Sequence, residues 1–135
     1  MITRELAETL AAAGLVWEPA SGDRFLVPDR DLDEEVFVVS GMSVEVSDLP
    51  TGPEMRFNGT VEWALDSIAQ NEVIWLPREE QMRDALGPLF LRLERIHAEP
   101  ERYYAVVVTG EHGEERHVDV DAERAYARAL LSVLS

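Results

Sequence analysis

The chain has 135 residues, a formal net charge of -15, 46% hydrophobic and 29% charged side chains, and neither lysine nor cysteine. That length suits one α+β domain over residues 1–135 with a normal core, and the composition is that of a globular chain rather than a disordered one. The missing amine and thiol exclude a lysine-bearing phosphate loop, aldimine chemistry, thiol catalysis, thiolate zinc sites and disulfides, and the surplus of 27 acidic over 12 basic side chains argues against binding to nucleic acid or to an anionic membrane surface.

Thr3 is placed to cap a helix carrying Leu6, Ala7, Leu10 and Ala13 at helical spacing, and Gly14 stops it. Arg4, Glu5 and Glu8 interrupt any apolar run there, so the segment reads as neither a secretory signal nor a membrane span, and a cytoplasmic location is the expectation. Residues 15–17 and 24–27 read as short extended segments around a turn at 19–23. Val36, Phe37, Val38 and Val39 form a β-branched and aromatic run. Val44 and Val46 alternate through 43–47, and Ser40, Gly41 and Met42 are expected to join the two runs as a hairpin. Pro50, Thr51, Gly52 and Pro53 spell a turn, with a short edge strand at 55–57.

Thr60 is placed to cap an amphipathic helix whose stripe is Val61, Ala64, Leu65 and Ile68. An extended segment at 73–76 leads to Pro77, where a third helix begins, runs through Met82, Ala85 and Leu86, and breaks at Gly87 and Pro88. Leu89, Leu93 and Ile96 fit a helical spacing, but the hairpin pattern downstream favours a strand over 89–96. Residues 103–109 and 115–120 make that hairpin about Gly110 and Gly113. Asp121 then caps a last helix with the stripe Ala122, Ala125, Tyr126, Ala129, Leu130 and Val133. The order predicts an α+β fold, mainly antiparallel sheet with about four helices covering one face. It also fits two degenerate helix–strands–helix halves.

The densest charge cluster, Asp29, Asp31, Asp33, Glu34 and Glu35, begins like a calcium loop, because hard cations seek clustered carboxylate oxygens. Glu34 stands where such a loop needs glycine and Ser40 where it needs a bidentate glutamate, which excludes an EF-hand. A looser divalent-metal site on Asp29, Asp31, Asp33 and Glu35, serving metal binding or metal-dependent hydrolysis, is the alternative to a solvated loop. His112 is expected in the hairpin loop. His117 is expected on a solvent-facing strand side with Asp119, opposite Val118 and Val120, so the imidazoles share no metal focus. His97 lies near a turn without a serine beside it, and no Gly-x-Ser-x-Gly elbow occurs. No catalytic residue and no cofactor is therefore expected. Trp63 lies off its helical stripe and is a candidate to flank a groove or subunit contact, with Trp75 as its companion. Core packing is the competing reading for both.

The stretches Gly22-Asp-Arg-Phe-Leu-Val-Pro-Asp-Arg-Asp, Asn58-Gly-Thr-Val-Glu-Trp-Ala-Leu-Asp-Ser-Ile and Trp75-Leu-Pro-Arg-Glu, with the Ala-Tyr-Ala helix at Ala125, resemble a family of short acidic actinobacterial proteins over roughly residues 15–134. Some members carry a pilus-assembly label borrowed from an ATPase, whose phosphate loop requires a lysine that this chain lacks. The resemblance implies no established activity and transfers no catalytic residue. Composition and motifs together favour a non-enzymatic module that binds a protein partner or a second copy of itself, as a homodimer, through a sheet edge or an aromatic-lined groove.

Overall fold

The computed structural model of the chain describes residues 1–28, 36–39, 43–49, 52–58, 67–69 and 73–135. Its elements run α1 (Arg4–Ala12), β1 (Arg24–Leu26), β2 (Phe37–Val38), β3 (Ser43–Leu49), β4 (Gly52–Asn58), β5 (Ser67–Ala69), β6 (Ile74–Leu76), α2 (Glu79–Leu86), β7 (Phe90–Ala98), β8 (Glu101–Gly110), β9 (Gly113–Asp119) and α3 (Ala122–Leu134). The class is α+β, with every strand pair antiparallel. The described residues hold three α-helices rather than about four, and none is long and apolar enough to cross a membrane.

Two compact units divide the chain, a smaller one at Trp17–Leu76 and a larger one made of Met1–Val16 with Pro77–Ser135. The first helix thus belongs with the C-terminal elements, which is not the arrangement of two helix–strands–helix halves.

In the smaller unit the sheet order β2-β1-β6 brings together strands far apart in sequence. Aromatic contact selects this pairing. Phe37 lies opposite Phe25 and their rings stack at 5.6 Å, while Trp75, opposite Phe25 on the other side, stacks on Trp17 at 6.3 Å. Such cross-strand aromatic pairs outweigh local hairpin preference, so β2 pairs with β1 and not with β3 as expected; Ser40, Gly41 and Met42 lie outside the described residues. The carboxylate of Asp23, fully buried, accepts hydrogen bonds from Trp17 Nε1 (2.8 Å) and Ala20 N (3.0 Å), and its backbone carbonyl accepts from Val39 N (2.8 Å).

The second sheet of this unit has the order β3-β4-β5. Residues 55–57 lie in its central strand rather than at an edge, because Ser67–Ala69 pairs alongside Glu54, Met55 and Arg56. Ile68, expected on a helical stripe, is therefore in a strand: pairing that satisfies the backbone of β4 overrides a local helical pattern. The rest of that stripe lies outside the described residues.

The larger unit follows its sequence pattern closely. Thr3 caps α1 by accepting from Leu6 N at 3.2 Å, Gly14 leaves the helix at φ +111°, and Asp121 caps α3 by accepting from Arg124 N at 3.0 Å. Strands β7, β8 and β9 form one sheet in that order. Helix α3 packs against β8 and β9, and α1 and α2 pack against α3. In contact with the sheet and with both other helices, α3 buries Ala125, Tyr126, Ala127, Ala129 and Leu130, and its alanines let neighbouring backbones come close.

Replacing Asp23 with alanine strands the buried Trp17 indole donor and removes the acceptor of the part-buried Ala20 amide. Asp23→Ala is predicted to lower unfolding free energy by about 3 kcal/mol, and Asp23→Asn, which keeps an acceptor oxygen, by less. Urea denaturation followed by tryptophan fluorescence checks the order.

Candidate interaction surface

Alternation along the strands of the larger unit decides which side chains meet α3. Phe90 lies opposite Val108 and its ring sits 5.7 Å from that of Tyr126 on α3, and His117 lies opposite Val106 and contacts Ser132 on α3. Tyr104, Val106, Val108, Glu115, His117 and Asp119 therefore share the helix-covered face. Ala105, Val107, Arg116 and Val118 point the other way. This inverts the expected faces of β9. Val118 and Val120 are 44% and 42% exposed, whereas Asp119 is only 8% exposed.

The inversion has an electrostatic cause. Asp119 lies 3.1 Å from Arg124 Nε and accepts from Arg128 Nε at 2.9 Å, both on α3, and also from Asp121 N at 3.0 Å. A carboxylate with that many donors can be placed under a helix, and the valines then turn outward. Although burial opposes its ionisation, the amide of Asp121 and the two guanidinium groups hold the Asp119 carboxyl below the usual aspartate range. The Asp121 carboxyl is also held low: burial opposes this, while the chain's first amino group at 2.8 Å and Arg124 favour the ionised form.

The opposite sheet face has no helix over it among the described residues, yet Ala105 and Val107 at its centre are fully buried. Four charged side chains surround them. Arg92 donates to Glu114 through both terminal nitrogens (3.0 and 2.8 Å) and to Glu94 through Nε (2.7 Å), and Arg116 reaches Glu94 at 2.9 Å. Glu94 is opposite Ala105 and Arg92 is opposite Val107, so the lattice spans the middle strand. Its formal charges cancel. The Arg92 guanidinium, with help from Arg116, holds the Glu114 carboxyl below the ordinary range. Beyond the lattice, Ile96 and Tyr103 face each other across β7 and β8, next to the exposed valines.

Ser132, His117 and Glu115 are a grouping that sequence reading missed, since it depends on α3 crossing β9. Ser132 Oγ lies 3.2 Å from His117 Nε2, and a Glu115 oxygen lies 3.7 Å from the same nitrogen. A relay for nucleophilic attack needs the carboxylate on the second ring nitrogen and the hydroxyl proton directed at the first. Here both partners crowd Nε2, and the hydroxyl donates to Ala129 O at 2.7 Å. Nε2 must then carry its hydrogen and donate to Oγ, so the contact ties helix to strand without activating the serine.

Of the candidate residues named from sequence, Asp29, Asp31, Asp33, Glu35 and Trp63 lie outside the described residues. Trp75 is half-buried against the cluster of Trp17, Phe25, Val27, Phe37 and Val39, stacked on Trp17, and its indole Nε1 is enclosed without an acceptor among the described residues. His97 is exposed beside the β7–β8 turn and His112 is exposed in the β8–β9 turn. Among the described residues no group of His, Asp and Glu is placed to hold a metal ion. No family model, no characterised protein and no solved structure matches the chain.

Since the folded-state pKa values of Asp119 and Asp121 are lowered, their stabilising contribution is complete above about pH 4 and is lost as pH falls through the lowered values. The urea midpoint is predicted to fall on acidification below that pH. In Asp119→Asn the midpoint starts lower at neutral pH and falls less.

Proposed function

We propose that this chain is a protein-binding module without catalytic chemistry of its own, associating through the side of its β7-β8-β9 sheet that faces away from α3 with a partner or a second copy. The observation that carries this reading is the character of that face. It pairs exposed valines with a lattice of two arginines and two glutamates whose charges cancel, in a chain of net charge -15. An acidic protein meets another macromolecule most easily where its own field is locally neutral and apolar area is available to bury. The geometry at Ser132, which commits its proton to a backbone carbonyl, gives no support to a hydrolytic reading.

Removing the apolar part of the face without adding charge tests the proposal. Val118→Ser with Val120→Ser alters only exposed side chains, so stability is expected to change by less than about 1 kcal/mol. Recovery of any protein that copurifies reproducibly with the wild-type chain is expected to fall at least about tenfold. Equal recovery with the two proteins would contradict the proposal.

A further inference from the structure

We infer that the outer edge of β7 pairs with β7 of a second copy, giving a continuous six-stranded antiparallel sheet about a two-fold axis at Leu93. This goes beyond association through the sheet face: it concerns the strand edge, a separate contact, and commits to a second copy in a stated register. Strand β7 is an edge of its sheet, and its outer backbone has no strand partner among the described residues. Unpaired edges of this kind are templates for another strand. Leu93 lies opposite the fully buried Val106 on the helix-covered face, yet it is 39% exposed, because α3 packs chiefly on β8 and β9 and meets β7 at Phe90. A second copy alongside would cover it.

Charge selects both the strand and the register. β9, the other edge, carries Glu114, Glu115 and Asp119 against Arg116, whereas β7 carries Arg92 and Arg95 against Glu94, a cationic stretch in an acidic chain. In a two-fold antiparallel pair with the helices of both copies on one side, a residue on the axis faces itself and its neighbours exchange. An axis at Leu93 sets Arg92 against Glu94 of the second copy, Glu94 against its Arg92, and leucine against leucine. An axis at Arg92, Glu94 or Arg95 opposes like charges, and one at Ile96 sets Arg95 against His97. The bulge between Phe90 and Arg92 ends the regular ladder close to the axis on both sides, which makes a short, reversible seam instead of an extending fibre.

The chain contains no cysteine, so one introduced thiol reports the register cleanly. Residues facing each other across an antiparallel pair have Cα atoms about 4.5–5.5 Å apart, within the span a disulfide requires. Leu93→Cys is expected to form a disulfide-linked dimer under mild oxidation, while Val118→Cys, away from the axis, stays monomeric. Arg92→Glu is expected to lower the dimer association constant at least tenfold. Adding Glu94→Arg restores opposite charges between copies but not those with Glu114 and Arg116 within a copy, so the dimer recovers while the melting temperature does not. If Leu93→Cys stays monomeric under conditions where the wild type associates, or cross-links no better than Val118→Cys, the edge register is wrong and association through the sheet face still stands. A wild-type chain that is monomeric throughout overturns self-pairing, and the serine double variant then decides the broader reading.

Discussion

A three-stranded sheet has two faces and two edges, and the larger unit supplies one helix layer. That shortage governs the rest of the unit. Helix α3 packs on the sheet face that carries Val106 and Val108 of the middle strand, and α1 and α2 pack against α3. Ala105 and Val107 alternate to the other side and still have to leave water. Arg92, Glu94, Glu114 and Arg116 stand around them on that face, partly exposed and paired with one another. Exposed ion pairs of this kind stabilise a fold only modestly. Their larger effect is on the field, because they leave a neutral area on an acidic surface.

At physiological ionic strength charges farther apart than about 8 Å are largely screened. The encounter of two acidic molecules is then decided by the charges at the contact and not by the total. The neutral lattice, the exposed valines beside it and the cationic edge strand lie together on one sheet, which is why we propose association there and not on the helices. On the covered side the charges do the reverse: Arg124 and Arg128 draw Asp119 under α3 and hold the helix to the strand.

The larger unit was largely legible in the sequence because its signals are local. Thr3 and Asp121 cap helices, Gly14 and Gly87 leave them at positive φ, and the 3.6-residue stripe of α3 and the β8–β9 hairpin need no distant partner to be recognised. The face of β9 was misread because valine next to histidine and aspartate suggests that valine is inside, and no periodicity encodes two arginines reaching back from a helix that follows the strand. In the smaller unit the pairings of β1 with β2 and β6 join segments separated by long stretches, chosen by the ring contacts of Phe25, Phe37, Trp17 and Trp75. Local pattern carries no trace of such choices. The same holds for Ile68, whose strand partner Met55 comes from an earlier hairpin.

Amide hydrogen exchange, compared between dilute and concentrated protein, tests most directly whether this sheet acts as a contact surface. The account predicts that amides of β7 around Leu93 slow as concentration rises while those of α1 do not change. Exchange in β7 that is independent of concentration and of any captured protein would contradict it.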